Sequence, residues 1–326
     1  MKYLVTGGAG FIGSHIVEAL IKKKNNVIVL DNFSTGRKNN LEFIKSKKLK
    51  VIKVDISNYQ KIDKYFNKVQ KVFHLAALAD IVPSIENPYS YFDSNVVGTL
   101  NVLRASLKYK VNKFIYSASS SCYGIPKNYP TKENSKIQPQ YPYALTKWMG
   151  EELVMHWAKL YKLNCTSLRL FNVYGTRSRT SGTYGAMFGV FLAQKINKKP
   201  FTIVGDGKQK RDFTYVRDVV EAFIKASNLK KSGTVYNVGS GKTVSVNRIV
   251  SHLKGKKVFI SKRPGEPDTT FAEIKKIKKE LKWTPKITIS HGVNILLENI
   301  DYWNKAPVWT PKKIKKETKS WFKYLK

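Results

Sequence analysis

Leu4-Val5-Thr6-Gly7-Gly8-Ala9-Gly10-Phe11-Ile12-Gly13 decides the fold. A short apolar run from Tyr3 to Thr6 breaks into a glycine loop. A helical pattern follows, with Ile12, Ile16, Val17, Leu20 and Ile21 at three- and four-residue spacings. Strand, glycine loop and helix in that order are the context a dinucleotide fingerprint requires. Gly7, Gly10 and Gly13 permit a tight turn and let backbone N–H groups approach a pyrophosphate at the helix N-terminus. The second apolar run, Asn26 to Leu30, ends in Asp31. A carboxylate there binds both ribose hydroxyls and favours NAD over NADP. Arg37 and Lys38 lie close by and keep NADP as the alternative.

Outward from this stretch the rhythm repeats. Lys50 to Val54 ends in Asp55, and Lys71 to Leu75 ends in Ala76-Ala77. Both runs finish in polar or small residues, as strands do at the carboxyl edge of a parallel sheet, where ligands bind. Asp55 is placed to contact an adenine, and the two alanines let a cofactor lie close. His74, inside an apolar run, reads as a satisfied buried histidine. A long helix follows Pro88, and a further strand begins at Phe114. Alternating strands and helices predict an α/β fold, a doubly wound parallel sheet.

The Phe114 run opens into Ser117-Ala118-Ser119-Ser120-Ser121-Cys122-Tyr123-Gly124, and beyond a Pro-rich excursion lies Tyr141-Pro142-Tyr143-Ala144-Leu145-Thr146-Lys147. Pro142 suits the first position of a helix. Tyr143 and Lys147 then share one helical face. A free tyrosine has a pKa of about 10. A nearby ammonium lowers it, and the phenol then serves as acid or base on a sugar or alcohol hydroxyl. Ser119, at a strand end, is placed to hold the same oxygen.

Composition narrows the classes. The chain of 326 residues has 42% hydrophobic residues, which fits a globular protein with a large core. Lys and Arg number 59 against 22 Asp and Glu, a formal charge of +37. Nine of the 59 are Arg, which leaves 50 Lys spread along the whole chain. Phosphate and base readout uses clustered Arg forks, so no nucleic-acid partner is expected. Attraction of an anionic small substrate is the expected consequence. Cys122 and Cys165 offer neither a disulfide framework nor a metal-ligand spacing, in keeping with a reducing, cytoplasmic setting and no metal. No apolar run approaches the roughly 18 residues of a membrane span, and the N-terminus does not read as a signal peptide.

Asn164 to Asn172 reads as a sixth strand leaving the sheet, Gly175 to Gly185 as a loop, and Phe201 to Gly207 as a short strand and turn. Helices are expected up to Lys199-Pro200, from about Val216, and after the loop Arg263-Pro264-Gly265-Glu266-Pro267-Asp268. In the tail, Ile314, Trp321, Phe322 and Leu325 have helix-compatible spacing. A basic helix docking its aromatic face on its own domain is expected, with an anionic membrane surface as the alternative.

Together these residues resemble the extended short-chain dehydrogenase/reductase family, in its NAD-dependent epimerase/dehydratase branch. Thr6 to Gly13, His74 to Ala77, Asn95-Val96-Val97-Gly98-Thr99, Ser119 with Tyr123-Gly124, Tyr143 with Lys147, and Arg169 to Gly175 fall in family order. The resemblance covers nearly the whole chain. It implies an NAD-binding Rossmann domain over 1–170, with a later contribution from about 209–240, and a mainly nucleotide-sugar-binding α/β domain over 171–326. It implies Ser119, Tyr143 and Lys147 as catalytic residues. Beyond those already named, Phe11, Ile12, Asn32, Ser34 and Gly36 are implied along the cofactor, as are Ile56, Leu75, Asn95 and Phe171. On the substrate it implies Ser120, Asn172, Arg211, Arg263, Asp268 and Thr270, the arginines meeting the diphosphate. Thr270 is then small enough to admit an N-acetyl group at C2.

Family dehydratases carry a carboxylate two residues before the tyrosine of the Tyr-Gly pair. Here that position is Ser121, so the chain looks most like UDP-sugar 4-epimerases. The resemblance also implies a homodimer joined through helices around Asn95–Lys108 and Tyr143–Leu160. A dehydratase or reductase of the same fold is the near rival. A non-catalytic Rossmann sensor or a nucleic-acid-binding module is the rival from another class.

Overall fold

Seven strands form one parallel sheet. They are β1 (Lys2–Thr6), β2 (Asn26–Asp31), β3 (Leu49–Lys53), β4 (Lys71–His74), β5 (Lys113–Ser119), β6 (Cys165–Leu170) and β7 (Thr234–Val238). Side by side they run β3-β2-β1-β4-β5-β6-β7, every neighbouring pair parallel. The computed structural model describes residues 1–178 and 187–325. Of the loop expected over Gly175 to Gly185, residues 179–185 lie outside the described residues.

The strand order reverses between β1 and β4, and a crevice for a ligand opens at such a reversal. Register pairs Thr6 with Leu30 and with His74, and Ser119 with Leu170, so the chemistry-bearing strand ends share one edge. The inner strands are apolar on both faces because helices cover both. On one face Ile16, Val17 and Leu20 of helix α1 (Phe11–Lys22) pack with Val219 and Phe223, against Val5, Val29 and Phe73 of the sheet. On the other, Val102 and Leu103 of α2 (Gly98–Lys108) and Val154 of α3 (Pro142–Leu160) cover Leu4, Val72 and Phe114. A third core lies beyond the sheet, around Phe188, Phe191, Phe213, Tyr215 and the fully buried Trp303. Emptying a site such as Trp303 costs about 3–5 kcal/mol.

Three readings of the sequence change. The sixth strand does not leave the sheet: β6 is buried throughout and lies between β5 and β7. β7 itself is new. Its five residues are rich in β-branched and aromatic types between Gly233 and Gly239, a strand signal in themselves, and they pair with β6. The long helix after Pro88 is three pieces: Pro88–Phe92, a π-helical turn over Asp93–Val97, and α2.

The tail forms two short helices, Pro311–Glu317 and Lys319–Tyr324, with Ile314 and Trp321 buried and Phe322 exposed. It docks on its own chain, as expected of the aromatic face. Among the described residues no helix is long and apolar enough to cross a membrane.

Candidate active site

A cleft of about 680 Å³ runs from the glycine loop across the carboxyl edge of the sheet to the loop around Arg263. At its first end, α1 begins at Gly10 without a side-chain cap, which leaves its first N–H groups facing the cleft. The glycines are required there. A Cβ on Gly13 would stand 2.1 Å from the Gly7 carbonyl oxygen, and one on Gly7, at φ +68°, would stand 2.7 Å from the Ala76 nitrogen. Uncapped donors at a helix start, with backbone this close, form a fitting cradle for a pyrophosphate.

Asp31 ends β2. Its carboxylate accepts from the amides of Ala9 (2.9 Å) and Phe33 (2.8 Å). Burial raises its pKa and these two bonds oppose the rise. Asp55 accepts from Asn32 Nδ2 at 2.7 Å and from the Ser57 amide at 2.8 Å. Burial pushes its carboxyl up, but these bonds win and its pKa is lowered. Phe11, Ile12, Ser34, Ile56, Leu75, Ala76 and Ala77 line the same end.

Three expected cofactor residues do not line it. Gly36 stands behind Asp31, where a Cβ would come within 2.7 Å of Oδ1. Asn95 is buried in the π-helical turn, its amide donating to Leu78 O and Thr146 Oγ1, both at 3.0 Å. Phe171 packs on Tyr123. His74 is the satisfied core histidine that was expected, held between Thr6 Oγ1 (2.6 Å) and Thr99 Oγ1 (2.9 Å) and pushed down to about 3 by burial.

At the centre, β5 delivers Ser119 and α3 delivers Tyr143. Pro142 at the first helical position starts α3. The phenol donates to Ser119 Oγ at 3.2 Å, and Ser119 Oγ lies 2.8 Å from Ser121 Oγ. Ser120 also lines the cleft. Lys147 follows one turn along α3, and its Nζ sits 4.2 Å from the centre of the Tyr116 ring. Burial brings its pKa down to about 7, against the opposing field of Glu151. That carboxylate is itself locked by Arg169 at 2.5 Å and Ser167 at 2.7 Å.

The expected lowering of the Tyr143 phenol by Lys147 is not found in the protein alone. Burial raises Tyr143, and the bonds to Ser119 and Ser121 offset only part of this. The amine faces the Tyr116 ring and has itself lost much of its charge. Tyr123 of the Tyr-Gly pair is structural, donating to Asn237 Oδ1 at 2.7 Å and accepting from Arg169 at 2.8 Å.

At the far end, Thr270 Oγ1 donates to Asn172 Oδ1 at 2.7 Å. Arg211 Nη2 donates to Glu266 Oε1 at 3.0 Å, and Arg263 lies 3.8 Å from the other oxygen of Glu266. Asp268 meets this end only through its carbonyl, which accepts from Arg211 at 3.2 Å. Its side chain is exposed and pairs with Lys262. The carboxylate that enters the cleft is Glu266, which the sequence reading did not name; its place three residues after Arg263 was the available signal. Asp80, Tyr141 and Trp321 line the cleft as well. The helical spacing of the tail marked Trp321 as a docking residue, and only the tertiary fold brings it to the cleft.

The family model of NAD dependent epimerases/dehydratases matches residues 3–239. The chain belongs to that family. NAD is its cofactor, and the cradle at Gly7, Gly10 and Gly13 with Asp31 fits it. This epimerase/dehydratase family member is 36% identical over 320 residues to a UDP-glucuronate 4-epimerase of Thermodesulfobacterium geofontis, covering 92% of this chain and 97% of that one. Its structure is similar to that of a UDP-glucose 4-epimerase of Thermotoga maritima solved with UDP-glucose (TM-score 0.87, 33% identity, 94% and 99% of the chains). It is likewise similar to a UDP-glucuronic acid 4-epimerase of Bacillus cereus solved with UDP-glucuronic acid and NAD (TM-score 0.86, 33% identity, 94% and 99%). A dTDP-glucose 4,6-dehydratase of Streptomyces venezuelae shares the fold (TM-score 0.87, 23% identity), and a UDP-glucuronic acid decarboxylase of Arabidopsis thaliana is 33% identical over 304 residues.

Proposed function

We propose that the protein is an NAD-dependent isomerase that inverts C4 of a nucleotide-diphosphate sugar, a UDP-hexose or UDP-N-acetylhexosamine. One observation carries the reading: Tyr143, Ser119 and Ser121 form a chain of hydroxyls at the centre of the cleft, with a hydroxyl where family dehydratases place a carboxylate. Proton transfer at a sugar hydroxyl needs such a chain, whereas loss of water needs a further acid.

In this reading Tyr143 takes the proton from the C4 hydroxyl and later returns it. Ser119 holds the C4 oxygen, 3.2 Å from the phenol in the free protein. NAD, when bound, supplies the acceptor and return donor of the C4 hydride and a positive ring charge. Lys147 orients the cofactor ribose. Residues 1–170, with a contribution from about 209–240, hold NAD, and 171–326 mainly hold the nucleotide sugar. Arg211 and Arg263 grip the diphosphate with charge-assisted bonds, and Asn172 meets the nucleotide. A grip on the diphosphate leaves the hexose free to present either face. Thr270 leaves room at C2.

A homodimer through the helices around Asn95–Lys108 and Tyr143–Leu160 belongs to the same reading, supported by the exposed Leu107, Leu145 and Leu160 on those helices. A cytoplasmic setting is supported by the two buried free cysteines. A dehydratase is the second reading, favoured by Asp80, a carboxylate that lines the cleft and opposes ionisation of Tyr143.

Incubation with UDP-glucose, UDP-N-acetylglucosamine and UDP-glucuronate, followed by mass spectrometry, separates these. An epimer appears at unchanged mass, a dehydration product is lighter by one water, and a decarboxylation product by one carbon dioxide. Tyr143→Phe is expected to lower turnover by about 10²–10⁴-fold with NAD still bound. Full turnover by that variant sinks the assignment.

A further inference from the structure

The last helix of the chain returns to the cleft wall and contributes Trp321 to it. Helix Lys319–Tyr324 lies against helix Ile81–Glu86, and Ser320 Oγ donates to Glu86 Oε1 at 2.6 Å. This contact delivers Trp321, only 3% exposed, to the cleft wall. Its Nε1 donates to the Pro264 carbonyl at 2.7 Å. The Arg263 guanidinium lies 5.2 Å from the centre of its ring. The ring also stands 6.4 Å from Tyr141, which stacks on Tyr143 at 6.2 Å.

A buried tryptophan near a terminus is often filler, and filler needs only volume. Trp321 has more than that. Its N–H fixes the ring to the backbone beside Arg263, and its π system meets the cation of Arg263 itself. An arginine side chain loses about 2 kcal/mol of rotamer freedom when it is held. An aromatic surface that already orders the guanidinium removes part of that loss from the binding step. Glu266 ties the same guanidinium to Arg211.

We infer that Trp321 is a positioning residue: it presents Arg263 to the diphosphate of the nucleotide sugar, so that the C-terminal helix is part of the substrate site. The inference rests on the reading of Arg211 and Arg263 as the diphosphate grip. It places the effect in affinity and leaves the hydroxyl chain of Ser119 and Tyr143 in place.

The test is calorimetric titration of the NAD-loaded protein with UDP, which carries the diphosphate and no hexose. Trp321→Leu keeps apolar bulk and removes the ring. It is expected to weaken UDP about three- to tenfold, and to raise KM for the sugar nucleotide similarly while kcat moves less than about twofold. Trp321→Phe, which keeps an aromatic face, is expected to recover most of the loss. In an Arg263→Gln background Trp321→Leu should add nothing further. Parent affinity in Trp321→Leu overturns the inference, and so does an undiminished effect in the Arg263→Gln background. If Trp321→Leu does not fold, hydrogen exchange of the parent decides. UDP is expected to slow exchange over residues 319–325, and unchanged exchange there overturns the inference. A parent that binds no UDP overturns the diphosphate reading as well, a result distinct from a parent that binds UDP and a tail that is indifferent to it.

Discussion

Lys147→Met, measured in NAD-free protein, is expected to stabilise the fold fully below pH 7 and progressively less as pH rises above it. Burial takes the Lys147 amine from 10.5 to about 7. Its folded pKa therefore lies below its unfolded one, and between pH 7 and 10.5 the unfolded chain holds more of this proton than the folded chain. Stability contributed by this group rises with pH across that window. The slope is at most about 1.4 kcal/mol per pH unit, so the handicap shrinks by about 2 kcal/mol between pH 7 and pH 9. Methionine fills much the same volume and has no charge to desolvate. Urea melts of parent and variant at both pH values give the difference, in which the other titrating groups cancel. A difference that is the same at pH 7 and pH 9, or a variant less stable than the parent at pH 7, refutes the reasoning. The variant should also lose turnover, since a group that burdens the fold is retained for what it does at the site.

Thr270→Tyr is expected to lower turnover of N-acetylated relative to plain UDP-hexoses, because the side chain lines the cleft beside Asn172; equal turnover of both substrate classes counts against the role given to Thr270. Lys282 closes helix Lys275–Leu281 in the left-handed region at φ 52°. Lys282→Gly should raise stability by about 0.5–1 kcal/mol by removing that strain, as read by urea melts; a fall in stability would show that the side chain matters more than the backbone there.

The first half of the fold could be read because each unit announces itself locally: Gly7 to Gly13 between strand and helix, Asp31 at a strand end, Pro142 at a helix start. Ser119 and Tyr143 share a hydrogen bond in the cleft that Lys147 also lines, since a strand end and one helical face fix them. What could not be read depends on the chain returning from afar. The place of β7 beside β6 joins segments some seventy residues apart, and Trp321 reaches a cleft whose glycines stand some three hundred residues earlier. Asp268 and Glu266 show the finer limit. Two carboxylates in one loop look alike in sequence, and backbone direction alone sends Glu266 inward and leaves Asp268 to Lys262. The acidity of Tyr143 was misjudged because spacing reports proximity and says nothing of desolvation.

The lock between Glu151 and Arg169 has a consequence for how this protein tolerates change. Glu151 stands one helical turn beyond Lys147 and is the neighbour that holds the amine's proton on against burial. A substitution at Arg169 therefore reaches the reacting centre through the carboxylate it frees, without touching any ligand. Variation in this interior pair should surface as a shifted pH profile while the fold still melts as one unit, so that scaffold and chemistry drift together.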